Sequence, residues 1–367
     1  MTVVTVSIIS VIVWVLYLFP LRNRFNWLWA FVGVYIIIVA GTAIFWFSQR
    51  EESSNCILVL LALSTGLLIP LFSTRKIAIT VICAEAFFQS VYTLYYQHTG
   101  VSHIVSGDVQ RASGTFHSAN SLYFLTLIAL MLCMAATTSS RTFLQRFSWT
   151  VALAVVFAAF LLTWYRAAAI ALAISTVWYY YKQHNARRTQ LAAIGAIALL
   201  FCGMTFQLRS HNTMSKLSSD RSLGSHLDLW RIGAKVFENN FVSGVGVGSL
   251  QIPVINQSLS SKGVIHQQIM ITPMSTPLLW LDEMGVLGGI LLVGIVIAII
   301  NTIKKDESLT QTGLSSAWLA LAIVSLTNVP FGTVETLPST ALIGVLLGVT
   351  MKQCSPQKPL IVSPEIN

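Results

Sequence analysis

Apolar runs long enough to cross a bilayer follow one another along most of this chain, and that succession limits the fold more than anything else in the sequence. They fall at 2–19, 27–48, 56–72, 77–95, 120–136, 148–165, 167–181, 190–206, 279–302, 314–331 and 338–351. A helical span takes about 17–25 mostly apolar residues, so the chain is expected to hold about 11 spans, between roughly 10 and 12. Lipid offers no water to backbone N–H and C=O groups, so spans of this length are helices. Only 10% of residues are charged, where soluble domains carry about 25%. The expected fold class is an all-α polytopic membrane protein with one large external loop.

Lys and Arg set the orientation. Arg22 and Arg24, Arg75 and Lys76, Arg141 and Arg146, Lys182, Arg187 and Arg188, Lys304 and Lys305, and Lys352 and Lys358 follow the odd-numbered runs. The short connections on the other side hold Arg50, beside Glu51 and Glu52, and Arg111. Positive residues mark the cytoplasmic side. The N-terminus and the long polar loop are thus expected outside the cytoplasm, and the C-terminus within it. The division expected is eight spans in 1–206, a large loop in 207–278, three spans in 279–351 and a cytoplasmic tail in 352–367. The first run has no basic start and no small-residue cleavage site, so it reads as a retained span. The net charge of +9 is scattered through short connections, which argues for membrane orientation and against a nucleic-acid face. Five cysteines stand singly, mostly in apolar runs, and read as small core residues.

Polar chemistry is confined to a few places. The outer loop at 96–119 carries His98, His103, His117, Asp108 and Arg111, whose irregular spacing fits no zinc set. Solvated residues or substrate contacts are the readings it supports. Arg166 interrupts FLLTWYRAAAIALAIS. It is either an interfacial arginine snorkelling beside Trp164 and Tyr165 or a guanidinium turned inward to bind a diphosphate bidentately. Glu85 lies within a span and is either functional or paired with a neighbouring helix. Asn328 and Pro330 suggest a broken or kinked helix end. In the long loop, Leu223, Leu227, Trp230, Ala234, Phe237 and Phe241 recur at helical spacing. This amphipathic helix is read as packing on the outer ends of the spans, or as interfacial with Arg231 and Lys235 beside anionic headgroups. After it, SGVGVGS places Gly244, Gly246 and Gly248 either as an anion-approaching backbone or as a tight turn. No strand precedes these glycines, so a dinucleotide fingerprint is rejected. TPMSTPLLWLDEMGVLGG then returns to the membrane with Asp282 and Glu283 just inside.

These segments, in this order, resemble the O-antigen ligase and polymerase superfamily of bacterial envelope glycosyltransferases. GTFHSANSLYFLTL (114–127), with His117 and Asn120, is similar to the family's G-x-F-x-N-x-N-x-L start of a span. TWYRAAAIAL (163–172) resembles its arginine motif, LGSHLDLWRIGAKVFENNFVSGVGVGSL (223–250) its loop pattern, and STPLLWLDEMGVLGG (275–289) its E-x-G segment. His226 stands where the family has an arginine four residues before Trp, and Met274 and Ser275 stand where it has a His-Asn pair. Both departures bear on direct transfer to lipid A core, and Arg221, Arg231 or His266 are nearby substitutes by position.

The resemblance implies an inner-membrane enzyme that moves a glycan from an undecaprenyl diphosphate carrier at the periplasmic face. Its acceptor would be another glycan, lipid A core or a protein hydroxyl. Arg166, His226, His266 and Glu283 are then the candidate catalytic residues. Arg111, His117, Asn120, Arg221, Arg231, Lys235, Gly244 and Gly246 are candidate substrate contacts. Membrane lipids are expected partners and nucleic acid is not, and neither metal nor cofactor is required by the sequence. The competing classes are a lipid-linked glycan transporter or flippase, in which internal repeats would be expected, and an envelope assembly partner.

Overall fold

The structure is a computed structural model that describes residues 58, 61–63, 65–67, 70, 73–96, 103–106, 109–116, 119–183, 221–246, 275–303, 309–329 and 337–352. It is mostly helical. In chain order the elements are α1 (Arg75–Tyr95), β1 (His103–Ser106), β2 (Val109–Ala112), α2 (Ala119–Ser139), α3 (Phe143–Leu161), α4 (Arg166–Lys182), α5 (Arg221–Asn239), α6 (Thr276–Ile303), α7 (Leu309–Ser325) and α8 (Leu337–Lys352). Among these, α1, α2, α3 and α6 are long and apolar enough to cross a membrane. α4 and α7 have 17 residues each and α8 has 16. The expected runs at 2–19, 27–48 and 190–206 lie outside the described residues, as does the loop beyond Gly246 up to Ser275.

Packing sorts the helices into centre and rim. In its most apolar window α2 is 78% buried and α3 only 17%, so α2 is the axis of the bundle. It packs against α1, α3, α4, α7 and α8, with Leu122, Phe124, Leu127, Ile128 and Met131 fully enclosed. Lipid tails are as apolar as leucine, so helices in lipid associate through close van der Waals packing and small residues. Small contacts are frequent here: Gly313 of α7 meets Ala135 of α2, and Gly344 of α8 approaches the backbone at Leu63 and Gly66. The rim carries exposed large apolar side chains, including Phe143, Leu144 and Phe147 on α3 and Leu287, Ile290 and Val293 on α6. That surface suits acyl chains, not water.

Two polar ends result. Thr74 and Thr142 cap α1 and α3 by accepting from the Ile77 and Gln145 N–H groups. Arg75 Nη2 donates to Gln311 Oε1 at 3.1 Å, joining the starts of α1 and α7. Arg75, Lys76, Arg141, Arg146 and Lys182 therefore belong to the end that the sequence assigns to the cytoplasm.

Two expectations need correction. The fold is not purely α-helical, because β1 and β2 pair antiparallel, with Ile104 opposite Arg111 and His103 opposite Ala112. The second concerns the rotation of α5. Of the expected stripe, Leu227, Ala234 and Phe241 are exposed and Trp230 and Phe237 half-buried, while Gly233 and Val236, outside the stripe, are buried. A glycine lets the two helix backbones come close, and α5 meets α6 through Gly233, against Leu278 and Asp282, and through Val236, against Leu279.

Cys83 of α1 and Cys133 of α2 are neighbouring buried free thiols. In a variant lacking Cys56, Cys202 and Cys354, iodine is small and apolar enough to reach them. It should join the pair as an intramolecular disulfide detectable by peptide mass spectrometry. Recovery of both thiols unlinked after full iodine exposure would contradict the α1–α2 packing.

Candidate functional site

The end of the bundle opposite Arg75 is built by four chain breaks that meet. Helix α3 finishes with Leu162, Thr163 and Trp164 donating backbone N–H groups to Ala159, Phe160 and Leu161. Trp164 then adopts φ 52°, a left-handed conformation that costs a bulky residue about 1–2 kcal/mol. This sharp reversal starts α4 at Arg166. The Ala112 N–H donates to the Leu162 carbonyl at 3.2 Å, tying β2 to the same turn. Next to it, Gly114 has φ +64°, and a Cβ there would lie 2.8 Å from Gln89 Oε1. That oxygen accepts from both the N–H and the hydroxyl of Thr115, at 3.1 and 3.0 Å. Glu85 in turn accepts from Gln89 Nε2 at 2.9 Å. In the structure Glu85 thus steers an amide on its own helix that fixes the segment after β2.

The third break is the end of α7, where Asn328 forms a node. Its Nδ2 donates to Asn120 Oδ1 at 3.3 Å and to the Tyr123 hydroxyl, and its Oδ1 accepts from the Val329 N–H at 2.8 Å. Tyr123 stacks on Tyr165 with centroids 4.2 Å apart and planes 10° apart. The Tyr165 hydroxyl donates to the Thr327 carbonyl at 3.3 Å. These contacts lock the start of α2, the α3–α4 turn and the end of α7 together. Burial pushes the Tyr165 phenol above its ordinary pKa, although its hydrogen bonds work the other way.

Arg111 lies against this node, its guanidinium carbon 6.0 Å from the Tyr165 ring centroid. It is half-buried, and its Nε is enclosed with no hydrogen-bond partner among the described residues. Burial lowers its pKa most, the neighbouring Tyr165 and Tyr123 raise it, and the charge of Arg166 lowers it further. Arg166 directly follows Tyr165, so Arg111 and the start of α4 lie at the same aromatic ring. Helix α4, which begins at Arg166, has no side-chain N-cap hydrogen bond and no acid in its first turn. A helix start carries partial positive charge and favours anions, so its charge adds to that of the two arginines.

The fourth break lies in α6. Gly285 has φ 63° and ψ −152° inside the helix. The turn after α5 repairs the interruption: Val245 and Gly246 N–H groups donate to the Asp282 and Glu283 carbonyls, each at 2.9 Å, and the Val286 N–H donates to the Phe241 carbonyl at 2.8 Å. A Cβ on Gly244 would overlap the Glu283 backbone. The Gly244 N–H is also used, by Asn240 O at 2.8 Å. Gly244 and Gly246 therefore pack the turn onto α6, and the N–H groups of 244–246 are spent within the protein. Beside them Asp282 is fully buried, and neither carboxylate oxygen has a hydrogen-bond partner among the described residues. Glu283 is buried next to it. The Thr276 hydroxyl donates to the Asn328 carbonyl at 3.1 Å, and Leu279, Val236 and Val329 form a small apolar cluster. The end of α7 is thus a wall shared by the arginine cluster and the α5–α6 seam.

Of the residues singled out in the sequence, Arg111, Asn120 and Arg166 come together, and Glu283, Gly244 and Gly246 lie at the adjoining seam. Arg231 and Lys235 are on the exposed side of α5. Arg221 and His226 belong to the first turns of α5, with side chains outside the described residues, and His117 and His266 lie outside them altogether. Sequence reasoning missed Tyr123 and passed over Asp282 for Glu283. Tyr123 carried one signal, standing one turn after Asn120 at the start of a span. Among the described residues no group of three or more His, Cys, Asp or Glu is placed to hold a metal ion. The sequence matches no family model and no curated protein.

The node yields a prediction. Asn328→Ala removes the only amide joining α7 to Asn120 and Tyr123 among the described residues, and should destabilise the fold by about 1–3 kcal/mol. Thermal unfolding in nanodiscs would register a lowered Tm. An unchanged Tm would mean that the three helix ends hold together without Asn328.

Proposed function

We propose that the protein is a glycosyltransferase that takes a glycan from a polyprenyl diphosphate carrier and passes it to an acceptor hydroxyl at the periplasmic face of a bacterial inner membrane. The observation that carries this reading is that Arg111 lies over Tyr165, the residue that leads into Arg166 and the uncapped start of α4. A diphosphate becomes the leaving group when the acceptor oxygen bonds to the anomeric carbon and the sugar–phosphate bond breaks. Negative charge then grows on the phosphate oxygens, and fixed positive groups lower the barrier most where that charge develops. Arginine suits the task because its planar fork can bind two phosphate oxygens at once.

The acceptor hydroxyl must also lose a proton, and Glu283 at the adjoining seam is a candidate base, with His226 and His266 in the same loop region. Asn120 lies within the segment that resembles the superfamily's span start, and in the fold it is one hydrogen bond from Asn328. The acceptor within this reading is a growing glycan, lipid A core or a protein hydroxyl. A lipid-linked glycan flippase is the second reading, favoured by the break in α6, since broken helices line substrate sites in transporters.

Purified protein in nanodiscs, given a carrier-linked repeat and each acceptor in turn, separates these readings. A transferase releases polyprenyl diphosphate and lengthens or transfers the glycan, whereas a flippase yields neither product. Arg166→Ala should abolish release, a loss of at least about 10²-fold, and Arg166→Lys should recover little because the fork is gone. Full activity in Arg166→Ala would return this arginine to an interfacial, snorkelling role.

A further inference from the structure

Helix α5 runs beside the first part of α6, before its break, in the same direction. Gly233 meets Leu278 and Asp282, and eight residues later Phe241 is hydrogen-bonded to Val286. The chain then reverses, so that Val245 and Gly246 pair with Asp282 and Glu283. Phe241 and Val242 are the farthest point of this excursion, level with Gly285. From Gly285 to Ile303 α6 rises about 27 Å at 1.5 Å per residue, close to the ~30 Å hydrocarbon core of a bilayer. The break in α6 therefore falls where hydrocarbon begins.

The surface at that level is apolar. Val242 is 71% and Phe241 53% exposed, and just past Gly285 on α6 Leu287 and Ile290, 55% and 58% exposed, begin its outward stripe. Lys235 of α5 is also exposed, six residues before Phe241, about 9 Å back along the helix axis. That is the distance at which a lysine stem can run along lipid and deliver its ammonium to phosphate. The internal use of the N–H groups of residues 244–246 also fits this depth, because irregular backbone near hydrocarbon must be satisfied by protein.

We infer that the turn ending α5 is a membrane-inserted tip: Phe241 and Val242 enter the hydrocarbon boundary of the bilayer, Lys235 sits at lipid phosphate, and the bilayer thereby holds α5 against α6. The occupant of this exposed face is lipid, continuous with the lipid around α6. This holds whether or not the protein is a transferase.

The test uses the full chain in phospholipid nanodiscs, with the five native cysteines replaced by Ala and one nitroxide-labelled cysteine introduced at a time. Labels at Val242→Cys and, as a second variant of the tip, Phe241→Cys should be relaxed strongly by oxygen and several-fold less by a water-soluble nickel chelate than a label at Lys235→Cys. A label at Leu287→Cys should behave as the tip does. Nickel accessibility at the tip equal to that at Lys235, or a water-exposed label at Leu287, would overturn the inference.

Discussion

The arrangement depends on keeping buried polar groups satisfied where helices stop. A helix that ends near lipid leaves carbonyls and N–H groups that water does not reach. Asn328 meets this requirement at the end of α7, bonding to Val329, Asn120 and Tyr123 with its single amide. Because Tyr123 also stacks on Tyr165, one node fixes the ends of three separate helices. The position of Arg111 follows from it, since β2 is tied to Leu162 and its arginine lies over the Tyr165 ring.

The break in α6 is the same problem solved differently. Gly285 leaves the helical region, and the carbonyls that lose their helical donors are taken by the turn at Val245 and Gly246. Only glycine at 244 permits the approach, since any side chain would strike the Glu283 backbone. Asp282 is the one carboxylate in this seam left without a hydrogen-bond partner among the described residues, held under the close contact of Gly233. A buried acid of this kind in a membrane protein is where function is expected first.

Much of the helical layout was legible in the sequence. The apolar runs at 77–95, 120–136 and 279–302 correspond to α1, α2 and α6, because length and composition alone decide what can cross lipid. Arg166 was visible as a break because a guanidinium interrupts an apolar run, and Asn328 because a polar residue precedes a proline. The rotation of α5 was not legible. Periodicity ranks side chains by hydrophobicity, whereas α5 meets α6 through Gly233 and leaves Leu227 and Phe241 outside. Nor was the meeting of Arg111 and Arg166, which lie 55 residues apart in a chain of 367. It depends on a hairpin with four-residue strands and one backbone hydrogen bond to Leu162. The order of the motifs carried the resemblance to a family, and which of their residues lie near one another required the fold.

The central claim is that Arg111 and Arg166 act as one diphosphate-binding unit. A double-mutant cycle on the binding of a short-chain polyprenyl diphosphate, using Arg111→Ala, Arg166→Ala and the pair, tests it most directly. If both guanidiniums hold one ligand, each single substitution weakens binding and the double loses clearly less than the sum, a coupling of about 0.5–3 kcal/mol. Strictly additive losses, or affinity unchanged in both single variants, would show that the two arginines are neighbours without a shared ligand.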